Sequence, residues 1–290
     1  MVSTACVREL PRAWSLDDTD YPDALRSLSS PPKQLYIRGV LTHPPARAVA
    51  LVGARAASPY GRAMADRLAR DLAALGIAVV SGLARGIDAA AHEGALAVGG
   101  VTIAVLPASL AHITPPQHAG LARRITERGA LVTEVANGAP FGRGAFVKRN
   151  RIIAALAGVT VVVEAGVRRG ALRTAEAAEA LGRRVLAVPG DVDRPTAHGT
   201  LALLRSGARP CGDAGDVMTA LAESFPAPPT IDPLGRLTAA LDGVPRSLDE
   251  LTRLAAVSAM EASAMLLRLE WSGVAVSAPG GRWRRRGASS

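Results

Sequence analysis

Apolar residues in this chain gather in six short runs, most of them closed by glycine or proline: Val49–Gly53, Ala78–Gly82, Thr102–Pro107, Ala130–Glu134, Val159–Gly166 and Val185–Gly190. Between the runs the pattern turns helical. In Tyr60–Leu75, for example, Met64, Leu68, Leu72 and Leu75 fall on one stripe. Buried-strand runs alternating with amphipathic helices predict an α/β fold, an extended Rossmann-like parallel sheet with helices on both faces. Ligands of such sheets bind beyond the carboxyl ends of the strands, so the loop after each run is where chemistry is expected.

Punctuation divides the chain further. Residues 1–45 carry few periodic signals and close on Thr42-His43-Pro44-Pro45, which predicts an N-terminal extension packing on the α/β domain of residues 46–222. Phe225-Pro226-Ala227-Pro228-Pro229 predicts a stiff linker over 223–230. Residues 231–290 then read as helix (Leu234–Leu241), helix (Leu248–Ala255, N-capped by Ser247), helix (Ala259–Ser272) and a hairpin of Val274–Ser277 and Arg282–Arg286 around Pro279-Gly280-Gly281. That order predicts a small winged helix-turn-helix, with Met265, Leu266, Leu269 and Trp271 expected on the core face of the third helix.

Composition narrows the function classes. No apolar stretch of the 290 residues reaches the ~18 needed to span a bilayer. The first residues lack a basic segment followed by an apolar block, so a cytoplasmic protein without a membrane partner is expected. Cys6 and Cys211 show neither metal nor redox spacing, and no metal or cofactor is expected. A net charge of +9 favours anionic partners, nucleic acid above all. Only Lys33 and Lys148 among the 34 basic residues are lysine, a bias that selects arginine over lysine without creating the charge.

Three segments carry candidate chemistry. After the first run, Gly53, Arg55 and the helix start near Gly61 place backbone N–H groups and a guanidinium where a phosphate would sit. The glycine spacing of a dinucleotide fingerprint is missing, and the second run ends in Ser81-Gly82 rather than an acid, which disfavours hydride transfer. In Ser81-Gly82-Leu83-Ala84-Arg85-Gly86-Ile87-Asp88 the glycines either cradle a ligand or only permit a tight turn, with Asp88 holding the loop and His92 orienting it. The richest segment, Arg143 to Arg151, sets Arg143, Lys148, Arg149 and Arg151 around Phe146, with Asn150 beside them. A solvated helix start is the plain alternative to a base stacked on Phe146 with phosphates held by arginine.

The runs Gly53-Ala54-Arg55, Ser81 to His92 (SGLARGIDAAAH), Phe146 to Ala154 (FVKRNRIIA) and Val188-Pro189-Gly190 strongly resemble the DNA-processing protein A family, DprA or Smf, and the C-terminal module resembles the winged helix many members carry. The resemblance covers about residues 20–290. It implies a non-enzymatic protein, with no catalytic residues, that binds and protects single-stranded DNA, helps load the RecA recombinase in transformation or recombination, and dimerises through its Rossmann domain. The matching pocket comprises Arg55, Ser81, Gly82, Phe146, Arg149, Asn150 and Arg151. Gly53, Arg85 and Gly86 belong to the matched runs, and Arg143 and Lys148 join on charge. Arg169-Gly170-Ala171 stands where the family has Ser-Gly-Ser, so Arg169 and Gly170 are added as replacements for lost hydroxyl donors, with Arg168 and Arg173 nearby.

Two other readings compete. Nucleotide phosphoribohydrolases share the superfamily, and Glu164 sits at a strand's carboxyl end where a ribose would meet it, although Pro189-Gly190-Asp191 lacks their Thr and Glu. A winged-helix regulator is the other. The third helix of that module, with Glu261 and Glu270 against Arg268, has a poor composition for entering a major groove, which favours protein contact or an auxiliary backbone role.

Overall fold

A computed structural model describes residues 11–41, 44–140, 142–167, 170–225 and 233–286. They form two compact units, Met1–Pro226 and Ala227–Ser290. Among the described residues, the first unit is built on a nine-stranded sheet in the order β1-β2-β6-β5-β4-β3-β7-β8-β9. Its strands are β1 (Arg12–Ser15), β2 (Gln34–Gly39), β3 (Ala48–Val52), β4 (Ala78–Ser81), β5 (Thr102–Val105), β6 (Ala130–Thr133), β7 (Val159–Val162), β8 (Arg184–Ala187) and β9 (Arg209–Pro210). All six apolar runs form the strands β3 to β8, and their mutual pairing is parallel.

Helices α1 (Asp23–Arg26), α2 (Pro59–Ala74), α3 (Ile87–Ala97), α4 (Ala119–Arg128), α5 (Arg143–Leu156), α6 (Gly170–Ala180), α7 (His198–Arg205) and α8 (Ala214–Ser224) connect the strands. Strand β3 shows why the runs are apolar without alternation. Ala48, Ala50 and Val52 share a core with α5 and α6, whereas Val49 and Leu51 share another with α2, α3 and α8. Every residue of β3 is buried, as burial on both faces requires. From β3 the order steps outward through β4, β5 and β6 on one side and β7, β8 and β9 on the other. This reversal opens a crevice at the carboxyl ends of the central strands.

The N-terminal segment does more than pack on the domain, because β2 extends the sheet antiparallel to β6 and β1 pairs antiparallel to β2. Tyr21 is buried and donates to the Pro32 carbonyl at 2.8 Å, fixing the turn that leads into β2. Leu75 departs from the predicted stripe. It is the residue after the last turn of α2 and 55% exposed, while Met64, Leu68 and Leu72 are buried. Helix α8 runs to Ser224, past the residue 222 expected to end the domain.

In the second unit, α9 (Pro233–Ala240), α10 (Leu248–Ala255) and α11 (Ala259–Trp271) precede β11 (Ala275–Ala278) and β12 (Arg282–Arg285), with β10 (Arg246–Ser247) on the other edge of β12. Ser247 with Glu250 and Ser258 with Glu261 form capping boxes that start α10 and α11. The hairpin turn uses Gly280 and Gly281 at φ +81 and +68, a conformation that side chains resist. Leu237, Leu251, Leu266 and Leu269 fill the core. Trp271 does not join them; it lies 200° around the helix from Leu269 by the helical period and is 86% exposed.

Candidate nucleic-acid interface

The loops after β3 and β4 are built against each other. Gly86 adopts φ +77, and a Cβ there would strike the carbonyl oxygens of Ala54 and Arg55. The Ile87 N–H donates to the Ala54 carbonyl at 3.2 Å. Asp88, in the first turn of α3, accepts from the N–H groups of Gly82 at 3.1 Å and Ala84 at 3.4 Å. The N–H groups of Gly82, Ala84 and Ile87, among the backbone donors of this loop, are therefore already engaged inside the protein. Leu83 holds the left-handed region at φ 57 while fully buried, a strained conformation of the kind that accumulates at functional loops. The Ser81 hydroxyl is buried and donates to the Leu51 carbonyl at 2.6 Å. His92 does not orient this loop. Its Nδ1 lies 2.6 Å from the Thr102 hydroxyl, which itself donates to the Val79 carbonyl, so Nδ1 carries the proton.

The start of α2 is likewise closed. Glu164 accepts from the Ser58 N–H at 2.9 Å and from the Ser58 hydroxyl, and the same hydroxyl accepts from the Gly61 N–H at 3.0 Å. Gly61 has no room for a Cβ because the Glu164 carboxylate occupies that space. Arg55, between β3 and α2, forms no ion pair among the described residues. Its exposed guanidinium stacks over the ring of Phe146, 4.6 Å from the centroid.

Helix α5 sorts the basic segment into three environments. Arg149 is buried, and its Nη1 donates to the carbonyls of Gly82, at 2.7 Å, and Val105. Its guanidinium also fills the space where Gly82 would carry a Cβ. Burial lowers the Arg149 pKa to about 10, with the Asp88 carboxylate opposing that shift, so it stays charged at neutral pH. Burial also raises Asp88, against the pull of Arg149. Asn150 donates to the Gly170 carbonyl at 2.9 Å, tying α5 to α6.

On one side of α5, Phe146, Asn150 and Arg149 line a cavity of about 450 Å³ with Gly53, Arg55 and Gly170. On another side, Arg151 and Lys148 pair with Glu134 at 2.6 and 3.2 Å and line a different cavity. The structure thus brings together Gly53, Arg55, Phe146, Arg149, Asn150 and Gly170, places Ser81, Gly82 and Gly86 in the supporting loop with Arg85 exposed beside them, and separates Lys148 and Arg151 from Phe146. Only the backbone of Arg143 is described, at the first position of α5, and Arg168 and Arg169 lie outside the described residues. Arg173 pairs with Glu176 at 2.8 Å on the surface. Sequence reasoning missed Glu134 as the partner of two cations, and Pro195 and Thr196 as cavity wall.

The family described as DNA recombination-mediator protein A matches residues 12–222, and the DprA winged helix domain matches residues 216–281. The chain belongs to the DNA recombination-mediator protein A family. A Smf protein from Synechocystis is 33% identical over 320 residues, covering 95% of this chain and 80% of that relative. A putative DprA from Mycobacterium tuberculosis is 48% identical over 172 residues, covering 59% of this chain and 44% of the relative. Among solved structures, DprA from Streptococcus pneumoniae superimposes with a TM-score of 0.66 at 31% identity, covering 74% of this chain and 76% of that one. DprA from Helicobacter pylori gives 0.66 at 28% identity, covering 76% and 99%.

Proposed function

We propose that this DprA-family protein binds single-stranded DNA in the cleft between the β3 loop and α5, and acts in DNA processing without catalysing a reaction. The observation that carries this reading is the guanidinium of Arg55 over Phe146 at the rim of the 450 Å³ cavity. A ring and a guanidinium plane stacked at a carboxyl-end crevice form a platform for an unpaired base, and Arg55 remains free to meet a phosphate. Duplex DNA hides its base faces and gains only the charge term. The Helicobacter pylori relative is described by its single-stranded DNA binding mode, which supports the same chemistry here. Delivery of the strand to RecA, a homodimer formed through the Rossmann domain and a cytoplasmic location complete the proposal.

The hydrolytic alternative is less favoured, because both Glu164 oxygens accept from Ser58 at the start of α2. For the winged helix we infer protein contact rather than groove reading. Met260, Leu267 and Trp271 are exposed on α11 at helical spacing, and Glu261 lies beside them. Fluorescence anisotropy with labelled single-stranded and duplex oligonucleotides tests the main proposal. Tighter binding of the single strand is expected, with the preference reduced about 5-fold or more in Phe146→Ala, in line with the ~1–3 kcal/mol of one base stack. Equal affinity for both forms, unchanged by the substitution, would sink it.

A further inference from the structure

A cavity of about 870 Å³ lies apart from the one that holds Phe146. Its walls come from the segment before β2, the loops after β5 and β6, and α5, whose Arg149 also lines the cavity of Phe146. Both lysines of the chain, Lys33 and Lys148, line it, in a sequence whose other basic residues are all arginine. Arg151 joins them. Glu134, the acid of this lining, accepts from Arg151 at 2.6 Å and from Lys148 at 3.2 Å, so it orients two cations without cancelling three. None of the ion pairs among the described residues involves Lys33, which is exposed. The Nη1 of Arg151 is buried and meets no acceptor among the described residues. A buried guanidinium N–H without an acceptor is costly, and because Nη1 is closed to solvent, Arg151 offers the cavity its charge rather than this N–H.

The size suits a nucleotide unit, since pockets for small ligands run to about 300–1,000 Å³. The apolar part of the wall, from Pro31, Pro32 and Leu106, is suited to a sugar or base rather than to a bare ion. We propose that this cavity is a second nucleotide-phosphate site, separate from the Arg55–Phe146 platform, in which Lys33, Lys148 and Arg151 hold the phosphate. The phosphate belongs either to a strand continuing past α5 or to a free nucleotide. The strand form rests on the function proposed above; the free-nucleotide form does not.

The full-length protein, its Lys33→Gln, Lys33→Gln/Lys148→Gln and Arg55→Ala variants, and an Arg205→Gln control of equal charge change are titrated with three probes. These are thymidylate oligomers of about four and about sixteen nucleotides, and thymidine monophosphate. Loss of Lys33 is expected to weaken the long oligomer several-fold and flatten its log–log salt slope by about 0.7, with the short oligomer unaffected and the control silent. If instead the mononucleotide binds wild type and Arg55→Ala but not Lys33→Gln, the site stands and its source is a free nucleotide. The proposal is overturned if both lysine variants bind all three probes like wild type, or if Arg205→Gln reproduces their loss. Binding that responds to Lys33→Gln yet ignores Arg55→Ala would remove the first site and keep this one.

Discussion

Arg149 shows a residue whose type is legible in the sequence while its principal contacts are not. A run of cations around one aromatic points to anion binding, but Arg149 turns inward onto the carbonyls of Gly82 and Val105, and that partnership spans residues far apart in sequence. Arg149→Ala should therefore unfold the domain at lower denaturant, by about 3 kcal/mol or more for two lost charge-assisted bonds, whereas Arg55→Ala should leave the urea midpoint within about 0.5 kcal/mol. Gly86→Ala meets a forbidden φ and two carbonyl oxygens at once, and a drop of several degrees in Tm is the expected calorimetric result. His92 supplies a pH signature. Burial, with the charges of Arg149 and His118 adding to it, lowers its pKa from 6.5 to about 3. Between those values the unfolded chain binds the proton and the folded one does not, so stability falls as pH falls through this window, by at most about 1.4 kcal/mol per pH unit. Thermal melts from about pH 7 to 5 should show that decline, and His92→Asn should lessen it. A variant with the wild-type slope would assign the decline to other groups.

At the scale of elements, the strands β3 to β8 are legible because a parallel strand covered on both faces needs an unbroken apolar run. Strands β1 and β2 carry no such run. In β2, Leu35 and Ile37 are buried in one core while the half-buried Tyr36 packs against another, and a short antiparallel strand with polar Gln34 and Arg38 leaves a weak sequence signal. Helix α5 was legible as a basic element but not as one with two working flanks, because its partners, Arg55 and Glu134, come from other loops. On α11, Ala262, Leu266 and Leu269 define the buried stripe, and Trp271 falls opposite it. Leu266→Ala should cost about 2–5 kcal/mol, while Trp271→Ala should leave the melting temperature of this unit unchanged. A large loss in the second variant would place Trp271 in a core after all.

At the scale of the molecule, the net charge of +9 sets the sign of the partner but not its form. Charge alone would serve duplex and single strand alike, and the salt slope reports that shared part. The selective part is assigned to one contact, the stack of Arg55 on Phe146, so the most direct measurement is a double-mutant cycle on single-strand affinity. Arg55→Ala, Phe146→Ala and the double variant are compared with wild type at fixed salt. Each single substitution is expected to weaken binding, and the double variant to lose less than the sum, because the two side chains form one platform. Unchanged affinity in both single variants, or losses that add in full, would contradict the assignment.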